Sequence, residues 1–231
     1  MDSMMAAIRG PHDRGNLLGF LKLPLIFTSP HLYAGAISQF YILTSLIESG
    51  TLAGAGPMFD LVMSRMNLQP LSPGYESDLL DLLGPSWSSI SLETMEIEAT
   101  SSYASQLSSA DDCSLCAALF VLYGALVVGG GKQTQRKARK VPMLRGCRHK
   151  LFDVDEDMMK ARARFRSAFD ELFEEYPEER EKLVGETRRW MDMNNRVIFG
   201  IECVRGWVKG LMLAGVGAGA AWWLVWRRGK V

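Results

Sequence analysis

Two arginines share one face of a predicted amphipathic helix, residues 156 to 175, with a stripe of aromatic rings. At 100° per residue, Arg162 and Arg166 fall on or beside this stripe. The stripe consists of Phe165, Phe169 and Phe173. Guanidinium groups on an apolar face require an anion, and ligand carboxylates or phosphates would supply it, which predicts an anion-binding site. Alternatively, both arginines extend to solvent or pair with Asp170 or an acid of another helix.

His12 lies on the apolar side of a predicted N-terminal helix. The neighbouring positions on that side are Met5, Ile8, Gly19 and Leu23. An imidazole in such a place is a suitable ligand for haem iron or another metal. The alternative is a hydrogen-bonded histidine of the core, which has no ligand function.

Three consecutive glycines, Gly129 to Gly131, interrupt an apolar segment that begins at Leu115. Glycines let a helix bend and let its backbone approach a flat ligand or phosphate groups closely. The segment lacks the GK[ST] ending and the preceding strand of a nucleotide-binding loop. The other interpretation is an ordinary helix end followed by a loop.

The cysteines offer a further metal-binding hypothesis. Cys113 and Cys116 form a CxxC pair which, with Cys147 and His149, has the residue types of a zinc site, although nothing fixes the spacing of the second pair. Four cysteines in a chain with no secretory signal segment instead favour free thiols in a reducing compartment.

The elements that must position these residues are all helical, because helical periodicity recurs along the chain and no alternating strand pattern is found. Pro11 favours a start of the first helix near Gly10. The predicted helices cover residues 3–22, 31–49, 58–66, 75–83, 91–109, 115–138, 156–175 and 178–203, and residues 132–150 are expected to form a basic loop. The sequence therefore predicts an all-α fold with a single domain in residues 1–204.

Composition excludes some functions. The 231 residues are 48% hydrophobic, which is ordinary for a globular protein. The 26 basic and 26 acidic side chains cancel, so the positive field used by non-specific nucleic-acid binders is missing, and we expect no nucleic-acid partner. The basic run Lys132 to Lys140 is interpreted as a solvated surface or as a docking patch for an acidic partner or headgroups.

The C-terminal segment 205–231 has the pattern of a membrane anchor. Gly210 to Trp226 contains no charge, is close to the minimum length of a transmembrane helix, and is flanked by cations. We expect a tail anchor that leaves the domain in the cytosol, at the endoplasmic reticulum or mitochondrial outer membrane. Gly215 and Gly219 form a GxxxG pair through which two anchors could form a dimer. The alternative is a buried final helix, although its glycines disfavour a soluble helix.

Taken in order, these motifs resemble the haem oxygenase family across residues 10 to 202. The segments that carry the resemblance are HDRGNLLGFLK from His12, AISQFYILTSLIE, YESDLLDLLGPSW from Tyr75 to Trp87, LYGALVVGGGKQTQRK, ARFRSAFDEL and WMDMNNRVIFGIE. The C-terminal anchor is similar to that of the membrane-bound animal members. The resemblance implies a helical haem-oxygenase-like bundle followed by a transmembrane helix.

The resemblance also implies roles for individual residues. His12 corresponds to the proximal ligand of the iron of haem b, and Phe20 follows it as a phenylalanine does in the family. Arg162 and Arg166 correspond to the residues that bind the haem propionates. Gly129 and Gly130 correspond to the catalytic distal-helix glycines, and Tyr123 and Phe199 to further haem contacts.

By the same resemblance, haem is both cofactor and substrate. The family cleaves haem with O2 to biliverdin, carbon monoxide and ferrous iron, and a reductase supplies the electrons from NADPH. The basic segment Lys132 to Arg148 is a predicted docking surface for such a reductase.

One departure from the family concerns protons. The family's distal helix carries an aspartate just before its glycine pair, whereas the aligned place here is Leu126 or Val127, and no acidic residue occurs between Asp112 and Asp153. Without that group, the resemblance supplies no residue that delivers protons to bound oxygen. A non-catalytic haem-binding or haem-sensing relative is therefore the alternative function, and a helical membrane adaptor without haem is the third.

Overall fold

The computed structural model describes residues 1–87 and 97–203, and every regular element in these two ranges is helical. The α-helices are α1 (Asp2–Ile26), α2 (Pro30–Glu48), α3 (Pro57–Met66), α4 (Ser72–Leu83), α5 (Glu98–Ser108), α6 (Asp112–Val127), α7 (Gly131–Ala138), α8 (Met158–Glu175) and α9 (Arg180–Gly200). Short 3-10 turns occupy Pro142–Leu144, Lys150–Phe152 and Pro177–Glu179. The predicted all-α class is confirmed for this part of the chain.

The first helix is longer than predicted. It begins at Asp2 and runs through Pro11, so the expected start near Gly10 is wrong. A proline inside a helix costs about 3 kcal/mol, but α1 recovers this by packing along α9, where the Pro11 carbonyl accepts a hydrogen bond from Asn195 Nδ2 at 2.7 Å. Gly15 belongs to the same contact, because a Cβ there would lie 2.3 Å from Asn195 Oδ1. Tertiary packing therefore explains the helical conformation at Pro11 and Gly15, and the helix also continues through Pro24 to Ile26.

Helix α6 is the centre of the bundle, and α9, α3, α8 and α2 pack against it. Every residue from Cys113 to Tyr123 is buried, as expected for a helix that is apolar on all sides. The predicted phenylalanine stripe of α8 faces α6: the rings of Phe165 and Phe169 lie 5.6 and 5.0 Å from the ring of Phe120. This aromatic cluster fixes α8 against the core.

The glycine segment breaks the predicted helix 115–138 into two. Helices α6 and α7 meet at 46° around Val128 to Gly130. The basic segment 132–150 is therefore not a loop throughout, because its first part is helix α7. That helix presents exposed basic residues, while its buried Gln135 donates to the His149 carbonyl. Of the predicted helix 91–109, residues 98–108 are helical, and residues 88–96 lie outside the described residues.

No single helix within residues 1–87 and 97–203 is long and apolar enough to cross a bilayer, and the bent pair α6 and α7 meets the criteria of length and composition only together. The predicted anchor, residues 205–231, lies outside the described residues, which end at Cys203.

Candidate functional site

His12 projects from α1 with its imidazole partly open to solvent, the side chain being 44% exposed. Its Nδ1 lies 3.2 Å from the side-chain amide of Asn16, one helical turn later. The amide nitrogen Nδ2 faces Nδ1 and donates to it, so in this arrangement the ring proton is on Nε2. Rotating the amide by 180° brings its oxygen to this place, which puts the proton on Nδ1 and frees the Nε2 lone pair for a metal. Holding one ring nitrogen by a hydrogen bond is how metal-binding histidines are oriented in proteins. Asn16 was not among the residues that the sequence singled out.

A groove of about 380 Å³ lies beside His12 on α1. It is lined by Asp2, Met5, Ala6, Ile8, Arg9 and His12. Met5 and Ile8 give it an apolar wall, while Asp2 and Arg9 are polar groups at its edge. Its volume is at the lower end of the range for small-molecule sites. The groove is thus suited to one side of an apolar ligand that continues beyond α1.

Arg162 and Arg166 connect two other elements to this groove. Arg166 pairs with Asp2 of α1 at 2.6 Å and more distantly with Asp170 at 3.7 Å. Arg162 Nε donates to the Val127 carbonyl at the end of α6, at 2.9 Å. Both guanidinium groups lie on the exposed flank of α8, so the alternative of solvent exposure and acid pairing describes Arg166 correctly. One turn of α8 therefore links the end of α6 to the start of α1.

The end of α6 is the open part of that otherwise buried helix, since Ala125 is its one exposed residue. A Cβ on Gly129 would lie 2.6 Å from the Ala125 carbonyl oxygen, so this position requires glycine. Gly130 has an ordinary backbone conformation, with φ −80°, and no atom within 4 Å of an added Cβ. Gly129 thus permits the bend, and Gly130 leaves open space next to the backbone, in the region that Arg162 contacts.

Two predicted haem contacts are not brought to the groove. Tyr123 is buried and its hydroxyl donates to Glu48 of α2, and burial together with this carboxylate raises the tyrosine pKa. Phe199, on α9, is exposed beside the C-terminal end of α1, where Lys22 Nζ lies 5.4 Å from its ring. Lys22 is ten residues after His12, about 15 Å along a helix. Glu48, an acid at the end of an apolar helix, is the sequence signal that would have indicated a buried partner for Tyr123.

Neither predicted place for the missing acid faces the open end of α6, because Leu126 and Val127 are both buried. The acidic residues before and after this stretch, Asp112 and Asp153, form hydrogen bonds elsewhere. Asp112 accepts from the backbone N–H groups of Gly56, Met58 and Phe59 at the start of α3. Although burial opposes it, hydrogen bonds from Lys132 and Gln135 lower the pKa of Asp153. No carboxylate of residues 112 to 153 is therefore free to act at the glycine bend.

The zinc hypothesis is not supported by the positions of the thiols, and all four cysteines are free. In the part of the chain that the structure describes, Cys147 groups with Asp78 and Asp81 rather than with Cys113 and Cys116. These acids fasten the segment after α7 to α4. Asp78 accepts from two backbone N–H groups, and Asp81 binds Arg148 at 2.9 Å.

No protein-family model matches the chain, and no curated protein matches it significantly. Solved structures do match. Haem oxygenase 2 from Chlamydomonas reinhardtii, crystallised without haem, has a TM-score of 0.73 at 24% identity, covering 87% of this chain and 96% of that one. Haem oxygenase-1 from the cyanobacterium Synechocystis, in complex with haem, has a TM-score of 0.70 at 17% identity, with 96% and 98% covered.

The haem oxygenase from Leptospira interrogans is also similar, with a TM-score of 0.65 at 17% identity and coverage of 86% and 98%. Each of these chains is matched over nearly its whole length, so the similarity extends over a complete domain. At these identities the similarity concerns the fold, which agrees with the succession of motifs along the sequence. The chain therefore has the haem oxygenase fold.

Proposed function

We propose that the chain is a haem oxygenase that cleaves haem to biliverdin, carbon monoxide and ferrous iron. The observation that carries the proposal is the half-exposed imidazole of His12, held by Asn16 beside an apolar groove, in a chain with this fold. The donor set suits haem b: an imidazole nitrogen for iron and two guanidinium groups for propionates.

In this proposal each residue has a defined task. His12 binds the iron through Nε2, and Asn16 orients the ring by its bond to Nδ1. Arg162 and Arg166 exchange their bonds to the Val127 carbonyl and Asp2 for carboxylates of the ligand. The Gly129–Gly130 backbone leaves space for a flat ring. Bound haem supplies the iron at which O2 is activated and the porphyrin ring that is cleaved, with electrons from NADPH through a reductase.

The second candidate is a haem-binding protein that does not complete ring cleavage. It is favoured by the engagement of Asp112 and Asp153 elsewhere and by the burial of Leu126 and Val127. No side-chain carboxylate in this stretch is then available to hold a proton at the glycine bend.

One assay separates these candidates. The full chain in detergent, titrated with hemin and then given a reductase or ascorbate, should lose its Soret band and gain biliverdin absorbance. A Soret band that persists under reduction supports the binder, and a titration without any Soret shift supports a helical adaptor without haem.

A carboxylate at the open end of α6 should increase ring cleavage. Ala125 is the exposed position there, whereas Leu126 and Val127 are buried. Ala125→Asp therefore places a carboxylate at the open end of α6, whereas an aspartate at position 126 or 127 would be buried. A positioned proton donor contributes about 10²- to 10⁴-fold, and we expect faster biliverdin formation than in the original chain. The matched control is Ala125→Asn, which has the same shape without the acid. Equal rates for the two variants would show that protons reach the site by another route.

We further propose that residues 205–231 anchor the domain, facing the cytosol, in the endoplasmic reticulum or mitochondrial outer membrane. The charge-free run from Gly210 to Trp226 and its flanking cations support this proposal. The basic surface around α7 is proposed as the docking site of the reductase. A dimer through Gly215 and Gly219 belongs to the same proposal.

A further inference from the structure

Exposed apolar side chains concentrate at one end of α1. Among the described residues nine large hydrophobic side chains are exposed, and five of them lie here, 45% to 70% exposed. They are Leu17, Phe20, Leu21, Leu25 and Phe199. The first four recur at helical spacing and so occupy one side of α1, away from the buried side that contacts α9 at Gly15. We call these five residues the α1 apolar face. A patch of this kind marks an interaction site rather than ordinary surface.

The α1 apolar face lies where the described chain ends. Lys22, next to Leu21, extends its Nζ to the end of α9 and donates to the carbonyls of Ile198 at 3.0 Å, of Phe199 and of Ile201 at 2.9 Å. These bonds fix the last turn of α9 against α1. Cys203, the last described residue, follows two positions after Ile201, so the described chain ends close to this face.

The connection to the apolar tail is short. Only residues 204 to 209 separate Cys203 from the charge-free run that begins at Gly210. Even a fully extended chain of this length spans only about 20 Å. If the run lies in a bilayer, the end of α9 cannot stand farther than that from the lipid. The part of the domain nearest the lipid would then be the α1 apolar face.

Apart from the exposed Glu202, the charged residues around the face are cations, as expected at a lipid headgroup layer. Arg196, one turn before Phe199 on α9, is exposed and forms no ion pair with any residue in the described ranges. Arg205 and Lys209 follow in the connecting segment. Cations beside an exposed apolar stripe are the pattern of helices that lie in the membrane interface.

We propose that the α1 apolar face rests in the headgroup and acyl boundary of the bilayer that residues 210–226 enter. The domain is then attached at two places, the tail and the side of α1, which fixes its orientation on the membrane. This inference rests on the proposed anchor and is independent of the haem chemistry.

The test uses the full chain with Cys203→Ser, since Cys113, Cys116 and Cys147 are buried. Single cysteines introduced as Leu21→Cys or Leu17→Cys receive an environment-sensitive fluorophore. Matched controls are Met143→Cys and Met159→Cys, which replace similarly exposed apolar residues elsewhere. Each protein is added to phosphatidylcholine vesicles containing phosphatidylserine. Vesicle flotation, fluorophore emission, and quenching by nitroxide lipids and by aqueous iodide are measured.

We expect all proteins to float with the vesicles. Labels at Leu17 and Leu21 should shift to shorter emission wavelength and be quenched by nitroxide lipids, whereas those at Met143 and Met159 should stay accessible to iodide. If the chain floats while the Leu21 label behaves like the Met159 label, the inference is overturned and the anchor stands.

A chain that does not float overturns the anchor and the inference together, and the hemin titration is unaffected. Emission that is already shifted before vesicles are added also overturns the inference. A shift that depends on protein concentration then indicates a second copy on the face, and one that does not indicates coverage by residues 204–231.

Discussion

Replacing His12 with alanine should abolish the spectrum of histidine-ligated haem. His12 is the histidine that lines the α1 groove, and histidine is the usual protein ligand of haem iron. We expect hemin binding to weaken and the Soret band to lose the position typical of histidine ligation. Added imidazole should restore the spectrum, because a free ligand then occupies the space that the side chain leaves.

Two variants make this result specific. Asn16→Ala keeps the ligand but removes the hydrogen bond to Nδ1, and loss of such a supporting bond lowers affinity by about 10- to 100-fold. His31→Ala, at an exposed position on α2, should bind hemin as the original chain does. If His12→Ala kept the original spectrum, the iron ligand would be another residue, and the proposed site on α1 would be wrong.

Truncating Trp190 should cause the largest loss of stability. This indole projects from α9 and is fully buried against α6, where its Nε1 donates to Ser114 Oγ at 3.0 Å. Its ring also lies 4.8 Å from the ring of Tyr103. Trp190→Ala removes a large core side chain, which typically costs about 3–5 kcal/mol. Since whole domains are stable by about 5–15 kcal/mol, the folded fraction should fall markedly. Urea denaturation followed by far-UV circular dichroism measures the loss.

The phenylalanine variant separates packing from hydrogen bonding. Trp190→Phe retains most of the volume but leaves Ser114 without its indole donor, so we expect a smaller loss, about 1–3 kcal/mol. Met159→Ala, at an exposed position, should change the free energy of unfolding by less than about 0.5 kcal/mol. Similar losses for Trp190→Ala and Met159→Ala would contradict the packing of α9 against α6.

Helix identity follows from local sequence in most of the described chain. The periodic segments at 31–49, 58–66 and 156–175 correspond closely to α2, α3 and α8, because each has one apolar side and a clear capping or breaking residue at its ends. The prediction is wrong where a long-range contact opposes a local preference. Pro11 and Gly15 both disfavour helix, yet their contact with Asn195, which is far away in sequence, keeps α1 continuous.

At the candidate site too, the sequence predicts some features and misses others that depend on long-range contacts. The order of motifs along the sequence predicts the fold and singles out His12, Arg162, Arg166 and the glycine bend. The sequence does not show that Asn16 forms a hydrogen bond with the imidazole or that Arg166 pairs with Asp2. It also does not show that the Tyr123 hydroxyl donates to Glu48. Nor does it show that Ala125 is the exposed position at the end of α6.

The sequence by itself thus determined the all-α class, the approximate position of most helices and the residue types of the site, since these depend on spacing along a single helix. Only the tertiary structure decided which polar groups are already paired and which apolar side chains stay exposed. Asp2 and Arg166, or Tyr123 and Glu48, are far apart in the chain, and their contacts exist only after the helices have packed. The α1 apolar face is likewise defined by what α9 covers and what it leaves open.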